Sequence, residues 1–115
     1  MTITAPNLNT TVPRSGRERL GEYTWLARLA DKARAEQAGT GGDYTAYCRL
    51  SAGFLERAGV SIEEFRTLIR DDASDADLVR YFDDHVDAAH RDAANSYVLD
   101  DMQSHLDDQD AEEGR

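Results

Sequence analysis

Hydrophobic and polar residues alternate along most of this chain with the period of an α-helix. In the first long series, Leu26, Leu29 and Ala33 recur three or four residues apart, so their side chains share one face. Gly39 follows the series, and glycine is favoured there because it accepts the left-handed backbone conformation at a helix end. The pattern predicts a helix over residues 23–38.

Two shorter helices are predicted next, over residues 52–58 and 62–70. Gly59 ends the first of them by the same left-handed conformation. Ser61 and Glu64 then have the spacing of a capping box, in which the serine oxygen accepts from the third amide and the glutamate reaches back. This corner is the best-specified local structure in the sequence.

The C-terminal third is helical as well. Ser74 is a favourable N-cap, and Leu78, Val79 and Phe82 form an apolar face behind it. A further helix is predicted over residues 92–106. The periodicity leaves open whether residues 75–106 form one helix or two.

The remaining segments lack helical periodicity. We expect a flexible arm over residues 1–13 and an irregular crossing segment over residues 44–50. An acidic, disordered tail is expected over residues 107–115. The predicted fold is therefore all-α, a small single-domain bundle of four to five helices within residues 14–106, with a loop-rich middle segment. The side chains expected at the centre of its core are large and apolar: Trp25, Leu29, Phe54, Phe65 and Phe82.

Charge is distributed unevenly along the 115 residues, whose net charge is −10. Residues 1–70 hold 10 basic and 8 acidic side chains, whereas residues 71–115 hold 3 basic and 15 acidic ones. An acidic protein of this kind is not expected to bind nucleic acid, because phosphate would be repelled. The polarity instead predicts an unknown protein partner with a basic patch, or self-association of the N-terminal half with the acidic half of another chain.

Several classes of protein are not expected from the composition. Cys48 is the single cysteine, so an internal disulfide is excluded. The N-terminus has no signal-peptide pattern, and no stretch approaches the ~20 apolar residues of a membrane helix. We therefore expect a cytoplasmic protein without membrane contact, and no cofactor motif is present.

The most suggestive charged run is Asp31-Lys32-Ala33-Arg34. Lys32, with Arg28 or Arg34, could converge on a carboxylate or a phosphate and bind a small anionic ligand. The alternative is a solvated helix face, in which Asp31 and Arg34 pair three residues apart for a few tenths of a kcal/mol.

Tyr44 and Cys48 are the other candidate site residues. Tyr44 could orient a ligand, and Cys48 could be a nucleophile if Lys32 or Arg49 lowers the pKa of its thiol. The alternative is that Cys48 is a small buried hydrophobe. The histidines lie among aspartates but without metal-ligand spacing, so no metal site and no catalytic residue is assigned.

Several short motifs occur in a fixed order: Pro13-Arg14-Ser15, Arg17-Glu18-x-Leu20-Gly21, Trp25-Leu26-x-Arg28, Asp31-Lys32-Ala33-Arg34-Ala35, Gly39, Gly42-x-Tyr44, Cys48, Phe54-Leu55, Gly59 and Phe65. In this order they resemble the bacterial domain-of-unknown-function family numbered 5069, over about residues 13–86. The resemblance implies a small, cytoplasmic, helical protein and carries over no catalytic residues. The sequence departs from the family pattern at Arg49, where a proline is expected after the cysteine.

Two functions follow from these residues. Because no nucleophile–base pair and no metal-ligand set is present, the first is a non-enzymatic binding or regulatory protein. The alternative is a small-molecule-binding protein or an enzyme that acts on an anionic metabolite through the 31–34 run and the Tyr44/Cys48 segment. This alternative requires Lys32 and Cys48 to lie on the same side of the core.

Overall fold

The structure is a computed structural model that describes residues 4–115. The first three residues of the predicted arm lie outside the described part. The described chain folds into six α-helices: α1 (Leu26–Ala38), α2 (Arg49–Ala58), α3 (Ile62–Arg70), α4 (Asp75–His85), α5 (Ala88–Ser96) and α6 (Gln103–Glu112). A π-helical turn (Tyr97–Asp101) joins α5 to α6, and residues 4–115 contain no strand. The all-α prediction is confirmed, but the predicted number of helices was too low.

Helix α1 begins three residues later than predicted. Trp25, its N-cap, has a left-handed φ of 70°, which the helical pattern of the sequence does not reveal. The chain before it turns sharply, since the Leu20 amide donates to the Tyr23 carbonyl at 2.9 Å. Gly39 ends the helix in the left-handed conformation, as predicted, with a φ of 77°.

The corner between α2 and α3 follows the local signals closely. Gly59 caps α2 with a φ of 79°. Ser61 Oγ accepts from the Glu64 amide at 3.0 Å, and the Glu64 carboxylate accepts from the Ser61 amide at 3.2 Å. The predicted capping box is therefore confirmed. Helix α2 begins at Arg49, so the segment expected to be irregular ends at Cys48.

Residues 75–106 form neither one helix nor two. Ser74 caps α4 as predicted, and the helix ends where Val86 becomes extended. The Asp87 carboxylate then accepts from the His90 amide at 2.8 Å and starts α5. Beyond α5, the Met102 amide donates to the Tyr97 carbonyl at 3.0 Å, the wider spacing of a π-turn.

The centre of the core contains the side chains that the sequence predicted. Trp25, Leu29, Phe54, Phe65 and Phe82 are all fully buried. Phe82 lies among the other rings, with its centroid 5.1 Å from that of Tyr23 and 6.2 Å from that of Phe54. No helix in residues 4–115 is both long and apolar enough to cross a membrane.

Both end segments pack against the bundle. Leu8 is buried, and its amide donates to the Thr40 carbonyl at 2.8 Å. At the other end, α6 extends through residue 112, where the sequence predicted a disordered tail. The tail is helical in the structure because Leu106 is buried in the core and Arg17 pairs with the acidic side chains Asp107 and Asp110.

Part of the charge polarity of the sequence is used within the chain. Basic residues of the N-terminal half pair with acidic residues of the C-terminal half: Arg14 with Asp75, Arg17 with Asp107 and Asp110, Arg28 with Glu113, and Arg34 with Asp75. The segregated charges therefore hold the two halves together. Pairing with a second chain or a basic partner stays a prediction.

Candidate functional site

A cleft of about 510 Å³ lies between α1, the segment that precedes α2 and the end of α6. Four of the six sequence-predicted site residues line it: Arg28, Lys32, Tyr44 and Cys48. We refer to this space as the cleft. Its walls come from four separate parts of the chain, since Val12 of the N-terminal segment also lines it, so only the tertiary fold brings them together.

Trp25 is buried behind the cleft lining and contacts Arg28 and Lys32. Its indole Nε1 donates to Ser51 Oγ at 3.0 Å, and its ring lies 5.2 Å from Lys32 Nζ and 5.7 Å from the Arg28 guanidinium. Both cations can therefore interact with the face of a buried ring. A left-handed φ at a bulky residue costs about 1–3 kcal/mol, which the complete burial of Trp25 offsets.

Lys32 and Cys48 contact each other across the cleft wall. Lys32 Nζ lies 3.6 Å from Cys48 Sγ, and the lysine is only 4% exposed. Burial lowers the pKa of Lys32, and this effect exceeds the opposing attraction of the Cys48 thiolate. The two residues are thus on the same side of the core, as the small-molecule alternative requires.

The surroundings of Cys48 favour a thiolate. Burial by itself raises the pKa of the thiol, but the charge of Lys32 and hydrogen bonds from Ser51 and the Leu50 amide outweigh it and lower the pKa. Cys48 is the N-cap of α2, where amide donors and the helix dipole favour negative charge. Ser51 Oγ lies 3.5 Å from the sulfur and already accepts from Trp25, so its hydroxyl hydrogen can point to the thiolate.

Glu113 closes one end of the cleft. Its carboxylate accepts two hydrogen bonds from Arg28, at 2.8 and 2.7 Å, and one from the Tyr44 hydroxyl at 2.9 Å, and it also accepts one from Arg115. The Arg28 and Glu113 side chains are only 2% and 6% exposed. Burial raises the pKa of Glu113, but the Arg28 and Tyr44 hydrogen bonds outweigh it, so the pKa is lowered and the group is a carboxylate at neutral pH.

The hydrogen bonds to Glu113 affect Tyr44 and Arg28 differently. Burial and the hydrogen bond to Glu113 raise the pKa of the Tyr44 hydroxyl, so it remains a proton donor. The Nε of Arg28 is buried and has no hydrogen-bond partner among the described residues. Arg28 therefore has one buried donor without a partner among the described residues, as does Arg34 outside the cleft.

The other two predicted site residues, Asp31 and Arg34, do not line the cleft. Asp31 accepts from the Arg14 backbone amide at 2.9 Å and from its guanidinium at 3.0 Å. Asp75 accepts from Arg14 at 3.0 Å and from Arg34 at 2.8 Å. We call these four residues the α1 ion network. Each charge in this network has a partner of opposite sign within the chain. The network therefore contributes to the stability of the fold rather than to ligand binding.

Three residues that shape the site were not among the predicted ones: Glu113, which lines the cleft, and Trp25 and Ser51, which contact residues of its lining. Trp25 was expected only in the core, and Ser51 carries no local signal. Glu113 lies 85 residues from Arg28 and was read as part of a solvated acidic tail. The unequal charge of the two halves indicates that they attract each other, but it does not specify which acidic residue pairs with which arginine.

The histidines lie on exposed surface away from the cleft. His90 Nδ1 is 2.7 Å from the Asp87 carboxylate, and the His85 ring stacks on Tyr81 at 4.0 Å. Within residues 4–115, no group of three or more His, Cys, Asp or Glu side chains is placed to hold a metal ion. The cleft is therefore the candidate site on which a function can be argued.

The comparison with protein families agrees with the resemblance noted in the sequence. A family model described as Domain of unknown function (DUF5069) matches residues 10–115, nearly the whole chain. The match extends beyond residue 86, where the resemblance in the motifs ended, and includes Glu113. No curated protein matches the sequence at a significant level.

Proposed function

The chain belongs to the DUF5069 family, and we propose that it is a non-enzymatic binding protein for a small carboxylate-bearing molecule, which it holds at Lys32. One observation carries the proposal. The Lys32 ammonium is buried against the cleft, and its hydrogen-bond partner among the described residues is the Cys48 thiol rather than a carboxylate.

A buried ammonium is costly without a compensating anion. Removing such a charge from water costs several kcal/mol, which a nearby opposite charge and hydrogen bonds must offset. The other buried cation in the cleft, Arg28, is already neutralised by Glu113. Among the described residues, Lys32 has a single sulfur, that of Cys48, as its hydrogen-bond partner, so a ligand carboxylate would add most there, and the ammonium supplies up to three donors.

The rim of the cleft limits the kind of ligand. Asp43 and Glu112 also line it, and both are exposed to solvent, whereas Lys32 is buried. A second negative charge on the ligand would meet these carboxylates and be repelled. A molecule with a carboxylate at one end and a cationic group at the other, such as an amino acid or a related zwitterion, fits this order of charges.

The cleft residues favour binding over catalysis. None of the described residues that line it is a histidine, and the Tyr44 hydroxyl is engaged with Glu113. Tyr44 is thus placed to orient a ligand rather than to exchange protons with it. A cytoplasmic location is part of the proposal, because a reducing compartment keeps the single thiol reduced.

The test is a binding titration by calorimetry or by NMR. The probes are amino acids, simple monocarboxylates, dicarboxylates and inorganic phosphate. We expect the amino acids to bind more tightly than the dicarboxylates, and Lys32→Met to reduce the affinity at least tenfold. Arg49→Met is the matched control, because Arg49 is an exposed cation next to Cys48 that does not line the cleft.

Two results would contradict the proposal. One is an absence of binding for every probe. The other is an affinity that Lys32→Met and Arg49→Met lower equally, which would mean that overall charge, rather than the buried ammonium, attracts the anion.

A further inference from the structure

We propose that Lys32 and Cys48 form a reversible covalent cross-link when the protein meets a peroxide. This would be a modification site formed by two side chains, with hydrogen peroxide or a small organic hydroperoxide as the oxidant. It goes beyond ligand binding and is argued from residues that the chain contains only once.

The choice of residue types at this site is the first argument. The chain has 13 basic residues, of which 12 are arginines and Lys32 is the single lysine. Cys48 is likewise the single cysteine. Lysine differs from arginine in that burial can deprotonate it and make it a nucleophilic amine. The only such amine on a side chain therefore contacts the only thiol.

The geometry of the pair is the second argument. Nζ and Sγ are 3.6 Å apart, close enough for a bond to form after small side-chain rotations. Cys48 is half-buried and faces the cleft, so a molecule as small as a peroxide can reach the sulfur. The lowered pKa of the thiol supplies the thiolate that attacks a peroxide, and burial of Lys32 favours its neutral amine.

Arg28 also lines the cleft. It is only 2% exposed, and its buried Nε has no partner among the described residues. Arg34 Nε, outside the cleft, is in the same state, so the proposal is carried by the contact between Lys32 and Cys48.

The chemistry balances in two steps. The Cys48 thiolate attacks one peroxide oxygen and the O–O bond breaks, which gives the sulfenic acid and a hydroxide that takes up a proton to become water. Sulfur is oxidised by two electrons and the peroxide is reduced. The neutral Lys32 amine then attacks the sulfur, forming an S–N bond and releasing a second water. Two molecules of an external thiol reverse the link, restoring thiol and amine and leaving one disulfide.

Oxidation of the sulfur would itself prepare the second step. A thiolate favours the charged form of Lys32, whereas a sulfenic acid is neutral. Once the thiolate is lost, the pKa of the buried amine should fall further and its nucleophilic form should increase. The link would also remove the ammonium from the cleft. Loss of carboxylate binding in the oxidised protein rests on the proposed function, whereas the link itself does not.

The experiment uses the full chain, treated with hydrogen peroxide and digested with trypsin after denaturation. Without a link, trypsin cleaves after Lys32, Arg34 and Arg49 and releases separate peptides. With the link, residues 29–34 should remain uncut and be joined to residues 35–49, at a mass lower by two hydrogens than the two peptides together. We expect this species to be the main oxidised product and to disappear after treatment with dithiothreitol.

Three variants make the result decisive. Lys32→Arg keeps a cation but lacks the amine, so its Cys48 should stop at a sulfenic acid that dimedone traps. Lys32→Met, which keeps the apolar stem, should also give no link if the arginine does not fit the buried position. Cys48→Ser should show no change at residues 29–34. The proposal is overturned if the wild-type peptides stay separate, and dimedone traps the wild-type thiol as efficiently as that of Lys32→Arg.

Discussion

Helix α1 separates two charged regions that begin from neighbouring residues, Asp31 and Lys32. In the α1 ion network, Arg14 pairs with Asp31 and with Asp75, and Arg34 also pairs with Asp75. In the cleft, Arg28 has a carboxylate partner but Lys32 contacts a thiol. One region uses its charges within the protein, and the other leaves a cation available.

The difference follows from helical geometry. Adjacent residues on an α-helix point about 100° apart, so Asp31 and Lys32 face different parts of the fold although they are neighbours in sequence. Asp31 faces the N-terminal segment, where Arg14 supplies the complementary charge. Lys32 faces Trp25 and Cys48. A run of charges on a helix can therefore contribute to stability on one side and to ligand binding on the other.

Substitution of Glu113 should have the largest effect on stability, because Glu113 and Arg28 form a buried ion pair within the cleft. Glu113→Ala should lower the free energy of unfolding by about 3–5 kcal/mol, since it leaves the Arg28 guanidinium buried without its carboxylate. The measurement is urea-induced unfolding followed by circular dichroism. Glu112→Ala, at an exposed neighbouring position, should change it by less than about 0.5 kcal/mol. Equal effects of the two variants would mean that the Arg28–Glu113 pair does not stabilise the fold.

Asp31 tests the network. Asp31→Ala removes three hydrogen bonds from Arg14, so we expect a loss of about 2 kcal/mol in unfolding free energy. The alkylation rate of Cys48 with iodoacetamide should stay within twofold of wild type, because the network does not contact the thiol. Asp83→Ala, on exposed surface, is the stability control. A large change in the alkylation rate would show that the two regions are coupled.

Lys32 should respond in the opposite way. Lys32→Met should leave stability unchanged or raise it by about 1 kcal/mol, because a buried ammonium is replaced by an apolar side chain of similar length. Its Cys48 should be alkylated several-fold more slowly at pH 7. The thiolate forms as pH rises through the thiol pKa, so losing the cation should move the rate profile to higher pH. Arg49→Met should not move the profile; if it does so equally, the contact with Lys32 is not the cause.

The pH dependence at Asp75 is the smallest effect expected. Burial raises the pKa of Asp75, but hydrogen bonds from Arg14 and Arg34 outweigh it and lower the pKa. A carboxyl whose pKa is lower in the folded state contributes stability above its unfolded pKa of about 4, and this contribution is lost as pH falls through the folded value. Between about pH 5 and pH 3, Asp75→Asn should therefore lose less stability than wild type in urea unfolding. If the unfolding free energies of wild type and Asp75→Asn changed equally with pH, the pairs with Arg14 and Arg34 would not be the cause of the pH dependence.

The predictable parts of the structure depend on residues close in sequence. The capping box at Ser61 and Glu64, the cap at Ser74 and the stops at Gly39 and Gly59 all join groups within one helical turn, and each is confirmed. The start of α1 was placed too early because Trp25 adopts a left-handed conformation that tertiary packing imposes. The break at Val86 was left open and the π-turn was missed for a similar reason, since helical periodicity continues across them.

Most helices, the caps at Gly39, Gly59, Ser61 and Ser74, and the aromatic core could be predicted from local sequence patterns. The contact between the single lysine and the single cysteine, the position of Asp31 and Arg34 outside the cleft, and the closure of the cleft by Glu113 depend on tertiary packing. Periodicity and capping act over a few bonds, so they can be read along the chain. The pairing of groups 16 or 85 residues apart depends on how helices pack, and many packings would satisfy the same local pattern.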